Sequence, residues 1–327
     1  MQMITRNDPH KHIMLSSFLN RVGALQNAVT KRATIFGIIY LVDIPGDSDI
    51  VLVDDPIAFW CARFIFKVPF PRLRIWAFEL YEFQLPNNNF RNIVRNVFFG
   101  LATWSAFVFS GSVIFPSVGR AEFCIRRYLF ARLQRKYRIL PNIPVFSTPA
   151  LNLPESVQFA LTDLQKRGKI IVIYSGSIQT GRELSPIIAE FEQQDKYHLV
   201  LIGTLKGEYE NFADRKFKST SYLGNFDHSI VFRIYQEVSY GILCYSNTSR
   251  NTEICAPVKI WEYLHVGIKI IGNQNPALMG EWRGYIDAIY APHAVVAALE
   301  SAEGTPISAP AIPVFDVDFI SEKWSNV

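Results

Sequence analysis

The sequence predicts an α/β protein of two doubly wound, Rossmann-like domains, on three observations. Short apolar runs alternate with longer amphipathic segments along all 327 residues, the pattern of parallel strands joined by crossover helices. The length exceeds what one hydrophobic core usually organises. A proline-rich stretch at 139–155 (ILPNIPVFSTPALNLPE) separates two such series, and its Pro141, Pro144, Pro149 and Pro154 cannot continue a helix or a central strand. Domains are therefore expected at 1–145 and 146–327.

Strand candidates in the first domain are 33–41 (ATIFGIIYL), 49–55 (DIVLVDD), 73–78 (LRIWAF) and 106–111 (AFVFSG). Residues 97–115 (VFFGLATWSAFVFSGSVIF) carry no charge over a length that would span a bilayer. Gly100, Ser105, Ser110, Gly111 and Ser112 interrupt the run, and its second part is rich in Phe and Val, so a buried helix followed by a strand is the favoured reading. In the second domain the candidates are 169–176 (KIIVIYSG), 198–203 (HLVLIG), 240–245 (YGILCY) and 268–272 (IKIIG), separated by helical stretches such as 183–194 (ELSPIIAEFEQQ). No short internal repeat and no low-complexity tract is present, which excludes solenoids and propellers.

Composition narrows the class. Half the residues are hydrophobic and 14% are aromatic, enough to build two cores. Cys61, Cys124, Cys244 and Cys255 lie far apart without C-x-x-C spacing, which argues against zinc and against a disulfide framework. The start, MQMITRNDPHKH, lacks an apolar h-region, so a cytoplasmic chain is expected. The net charge of +4 is uneven: residues 1–150 carry 18 Lys and Arg against 9 Asp and Glu, whereas 151–327 carry 15 against 20. Arg63, Lys67, Arg72 and Arg74, then Arg126, Arg127, Arg132, Arg135, Lys136 and Arg138, stand among aromatics. Such a surface suits peripheral contact with an anionic membrane at its inner face, or a phosphate-bearing acceptor. The plainer alternative is a solvated helix face whose long stems cover the core. No nucleic-acid motif accompanies the charge, so no nucleic-acid partner is expected.

Two segments carry chemistry. In 174–190 (YSGSIQTGRELSPIIAE) a strand ends in a turn with Gly176 and Gly181, and a helix is expected to start near Arg182. Backbone N–H groups and a helix dipole there suit an anion, although any βα turn of a doubly wound domain offers as much. Arg182 adds a guanidinium able to pair with a diphosphate. In 245–272 a polar loop leads to Pro257, placed for a first helical turn, and Lys259 and Glu262 follow three apart on one face. Facing a cleft, these could hold a diphosphate and a ribose; alone, they read rather as a surface ion pair.

The ordered series of strand-Gly-x5-Arg, then LVLIG (199–203), YLGNF (222–226) and APVKIWEYLHVG (256–267), resembles the donor domain of retaining glycosyltransferases of family 4, which have the GT-B fold. The resemblance implies two domains facing a cleft, with the last helix, here FDVDFISEKWSN, crossing back to the first. It implies donor phosphates at Gly176, Ser177 and Arg182, a donor-binding place for Gly203, and a nucleobase beside Leu223, Gly224 and Asn225. Pro257, Val258 and Lys259 would stand near the phosphates, and Glu262 at the ribose. Many members carry two glutamates separated by seven residues. Here Ile254 occupies the earlier place and Glu253 is displaced by one. Lys206 or Lys259 would supply the second phosphate cation.

The activity implied is transfer from a nucleotide diphosphate sugar, UDP- or GDP-linked, to a saccharide or lipid-linked acceptor in bacterial surface polysaccharide biosynthesis. It would proceed with retention, without metal and without a further cofactor. Arg182 and Lys259 are the expected leaving-group stabilisers. His10 and His12, beside Asp8 in the first loop, are candidates to contact the donor sugar or the acceptor hydroxyl, and a solvated amino-terminal loop is the rival reading. Asp54, Asp55 and Glu79 are weaker acceptor-domain landmarks. Rival classes are a catalytically silent scaffold of a glycan assembly complex, a sugar-nucleotide epimerase, and a membrane protein spanning at 97–115.

Overall fold

The computed structural model describes residues 29–33, 38–42, 50–53, 56–64, 69–77, 90–127, 137–139, 141–142 and 152–306. The chain divides into two compact units, the second running from Phe146 to Val314. Asp8, His10, His12, Asp54, Asp55, Glu79 and the carboxyl-terminal FDVDFISEKWSN lie outside the described residues.

The first unit holds β1 (Val29–Ala33), β2 (Ile38–Val42), β3 (Ile50–Val53), α1 (Pro56–Phe64), β4 (Leu73–Trp76), α2 (Phe90–Phe109), β5 (Ser112–Phe115), α3 (Val118–Arg127) and β6 (Tyr137–Ile139). Its sheet has the order β1-β2-β3-β4-β5-β6. From β3 onward neighbours are parallel, whereas β1, β2 and β3 pair antiparallel. Its core gathers Phe59, Leu73, Ile75, Ala106, Phe107, Val113 and Phe115.

Two expected strands of this unit are corrected. The run 33–41 is the end of β1 and most of β2, because Ala33 and Ile38 face each other across an antiparallel pair. A continuous apolar reading passes over Gly37 within it. The run 106–111 belongs to the end of α2 and its exit. Ala102, Thr103, Ala106, Phe107 and Ser110 are all buried, a helical period that outweighs the β-propensity of Phe and Val. Ser105 Oγ donates to Leu101 O at 2.7 Å, Ser110 N–H still donates to Ala106 O in the helical pattern, and the strand starts at Ser112. Helix followed by strand holds for 97–115, with a later boundary, but the helix is not the buried one expected: Val97, Phe98, Leu101 and Phe109 are exposed. Among the described residues no helix is long and apolar enough to cross a membrane.

The second unit runs α4 (Glu155–Lys166), β7 (Ile170–Ser175), α5 (Leu184–Phe191), β8 (Tyr197–Ile202), β9 (Thr220–Gly224), α6 (His228–Tyr235), β10 (Tyr240–Leu243), α7 (Arg250–Glu253), α8 (Val258–Val266), β11 (Lys269–Asn273), α9 (Pro276–Met279), β12 (Ala288–Tyr290) and α10 (Val295–Ala302). Its sheet is parallel throughout, in the order β12-β11-β10-β7-β8-β9. Every residue of β8 is buried, as expected of a central strand covered on both faces. The chain winds outward from β7 to β9, returns, and winds the other way from β10, so the order reverses between β7 and β10. In open α/β sheets ligands bind outside the strand carboxyl ends at such a reversal.

Candidate functional site

The carboxyl ends of β7, β8 and β9 turn at Gly176, Gly203 and Gly224, with φ of 145°, 127° and 125°. Side chains other than hydrogen rarely adopt these values. The backbones are also crowded: an ideal Cβ on Gly203 would stand 1.9 Å from Gly176 O. Pairing continues past the strand ends, through Gly176 N to Ile202 O and Gly203 N to Gly224 O. The row of glycines thus forms a flat polar edge beside the reversal. Tyr174 Oη donates to Ser177 O at 2.9 Å and Ser177 Oγ to Gln179 Oε1 at 3.0 Å, which fix the first turn.

Arg182 follows that turn. Its guanidinium carbon lies 4.9 Å from the ring centroid of Tyr245, the second residue after β10, and the Cys244 thiol bonds to Arg182 O. The cation is therefore stacked across the reversal. Burial pushes the Cys244 thiol up to about 12, so it remains a neutral packing group. The expected helix start at Arg182 is corrected: α5 begins at Leu184, after Gly181 and Glu183 with φ of 87° and 49°. Arg182 N–H donates to Gln179 O within the turn, so its contribution there is the guanidinium rather than a first-turn amide.

Lys259 and Glu262 sit on α8. Pro257 is the residue before its first turn, and no side chain caps it. Lys259 Nζ lies 2.6 Å from Glu262 Oε2 and 3.2 Å from Tyr235 Oη. Tyr235 Oη donates to the same carboxylate oxygen at 3.0 Å. Glu262 is 1% exposed. The three groups form an enclosed network under the end of β7, and burial, followed by the charge of Glu262, holds the Tyr235 phenol well above its ordinary pKa. Oε2, which was expected at a ribose, thus already carries two donors. Lys259 stays near the surface with part of its side chain exposed.

The structure reveals partners that the sequence did not single out. Asn275 is fully buried. Its Nδ2 donates to Asn247 Oδ1 and Thr252 O, at 3.1 and 2.9 Å, and its Oδ1 accepts the amides of Ala277 and Leu278. Asn273 clasps the backbone of Tyr245 on both sides, and Trp282 Nε1 bonds to Cys255 O. The loop after β10 is therefore pinned from β11 and the segment beyond it. Asn before Pro276 is a readable helix-start signal, whereas Tyr235 and Tyr245 carry no local mark.

Of the expected donor residues, Gly176, Ser177, Arg182, Gly203 and Gly224 fall on the carboxyl-terminal edge of the sheet, with Asn225 exposed beyond it. Glu253 instead pairs with Arg250 at 2.6 Å in the short helix α7. Among the described residues no group of three or more His, Cys, Asp or Glu is placed to hold a metal ion.

No protein-family model and no curated protein matches the sequence. Solved structures do match the fold. HepE of Anabaena, in complex with UDP-glucose, aligns with a TM-score of 0.57 at 15% identity over 84% of this chain and 78% of that one. Sucrose-phosphate synthase from Thermosynechococcus elongatus aligns at 0.51 with 14% identity, over 83% and 68%. The trehalose 6-phosphate synthase from Burkholderia multivorans aligns at 0.52 with 14% identity over 80% of this chain, which spans 65% of that protein's length. The chain has the GT-B fold. At these identities the fold is what is shared, and the GT-B assignment accounts for the two α/β units and the reversal in the second.

Proposed function

We propose that the chain is a glycosyltransferase that binds a nucleotide diphosphate sugar on its second unit and transfers the sugar to a saccharide or lipid-linked acceptor. The observation that carries this reading is Arg182 stacked on Tyr245 across the β7/β10 reversal, beside the strand-end turns at Gly176, Gly203 and Gly224. The GT-B neighbour HepE was solved with UDP-glucose, which supports a UDP-linked donor. In this reading Arg182 and Lys259 neutralise the departing diphosphate as the glycosidic carbon–oxygen bond breaks, a preorganised charge able to supply much of a rate enhancement. Retention at the anomeric carbon, a place in surface polysaccharide assembly, a cytoplasmic location and contact of the basic first unit with a membrane belong to the same proposal.

A second reading, a nucleotide-binding scaffold without turnover, is favoured by one observation. Glu253 stands out of register and is held by Arg250, and Glu262 is held by Lys259 and Tyr235. Thermal shift against UDP, GDP, ADP and CMP tests the site. A bound nucleotide at a hundredfold excess over its Kd stabilises by about 2.7 kcal/mol. Stabilisation by one diphosphate, lost in Arg182→Ala, supports the site. No response from folded protein overturns it, and binding without any transfer or donor hydrolysis selects the scaffold.

A further inference from the structure

On α1 and α2 large apolar side chains face outward. Phe64 is 69% exposed, Val97 57%, Leu101 59% and Phe109 47%. They belong to one surface. The Phe64 ring stacks on Trp60 at 5.4 Å, Trp60 meets Phe109 edge-on at 6.0 Å, and the Trp60 indole donates to Ala102 O at 3.4 Å. Val97, Leu101, Ser105 and Phe109 follow at intervals of four, a stripe along one side of α2. Ala106 and Phe107 fill the opposite side with core. A surface helix ordinarily turns polar residues outward. This one is apolar on both sides, and a contiguous exposed apolar surface marks an interaction site.

Charge decides between occupants. The sequences of α1 and α2 contain Arg63, Arg91 and Arg95, and neither Asp nor Glu. A second copy of the chain would bring this wholly cationic region against itself, which like-charge repulsion opposes. An anionic bilayer offers an apolar interior beneath a negative surface, and so matches both properties at once. None of the described helices is long and apolar enough to cross it, so the fitting mode is to lie on the surface.

We propose that the outward face of α1 and α2, helices whose only charged residues are basic, docks on anionic phospholipid, with Phe64, Val97, Leu101 and Phe109 entering the headgroup–acyl boundary. This gives the membrane contact of the proposed function a defined face, and it does not depend on the nucleotide chemistry of the second unit.

The test is flotation of the full-length chain with vesicles of phosphatidylcholine alone and of phosphatidylcholine mixed with phosphatidylglycerol. Binding is expected only to the anionic vesicles and should weaken with salt. The double variant Val97→Asp/Leu101→Asp, on exposed positions, should lose about tenfold or more in vesicle binding, because apolar insertion is replaced by charge repulsion. Its melting temperature and any nucleotide-induced shift should stay those of the parent, and Phe64→Ser gives an independent arm on α1. No binding to anionic vesicles, equal binding to neutral ones, or unchanged binding by the folded variants overturns the proposal. Self-association of the parent that the double variant dissolves also overturns it. A nucleotide response that fails while vesicle binding persists removes the transfer reading and leaves the docking face standing.

Discussion

Lys259 Nζ and Glu262 Oε2 are 2.6 Å apart, one turn of α8 from each other, with the Tyr235 hydroxyl bonded to both. The carboxylate is enclosed, and these partners offset its lost hydration. Removing one member of a buried pair strands the other and costs about 3 kcal/mol or more, while replacing both by apolar groups restores much of the loss. Urea unfolding of Lys259→Met, Glu262→Leu and the double variant should show that pattern. Additive losses would mean that the two groups act independently.

Gly203 cannot carry a side chain. Its ideal Cβ falls 1.9 Å from Gly176 O, at a φ of 127°. Gly203→Ala should therefore cost about 4 kcal/mol or more, the range reserved for severe steric damage. Gly267, which ends α8 at φ 80° with nothing within 4 Å of its Cβ position, provides the contrast. Gly267→Ala should cost about 1–2 kcal/mol, the local left-handed penalty alone. Comparable losses in the two variants, measured by denaturant midpoint, would refute close approach of the two strand-end turns.

The strands of the second unit were legible because 169–176, 198–203, 240–245 and 268–272 are short apolar runs bounded by turn residues, and each lies within two residues of an observed strand. The first unit was harder to read. Apolar periodicity does not register a chain reversal between Ala33 and Ile38, and Phe107 resembles a strand residue until its helical burial partners are known. In the site, Gly176, Arg182 and Lys259 were visible as residue types at meaningful spacing. Tyr235, Tyr245 and Asn275 act through contacts 24, 63 and 28 residues away, distances over which sequence pattern carries no information.

Asn275 should be the residue on which the loop after β10 depends. Truncation to Ala removes the cap of α9 and both bonds to the loop, leaving Thr252 O and Asn247 without those donors. Loss of a cap together with buried hydrogen bonds costs about 3 kcal/mol. Hydrogen exchange in Asn275→Ala should accelerate at the amides of Thr252 and Glu253 and leave Leu199–Leu201 protected. Uniform acceleration across β8 would show global loosening instead.

His198, buried in β8, should make the second unit acid-sensitive. Burial, and then the charge of Lys169, lower its pKa from 6.5 to about 4, and its Nε2 lies 3.1 Å from Ser221 Oγ. In the unfolded chain the ring takes up a proton below about pH 6.5, whereas in the folded chain it stays neutral down to about 4. Between those values the unfolded state binds more protons, so stability must fall as pH falls through that window and is fully present above it. His198→Gln, which cannot titrate, should flatten this part of the pH–stability curve relative to the parent. A His198 ring that titrates near 6.5 by NMR in the folded protein would contradict the effect at its origin.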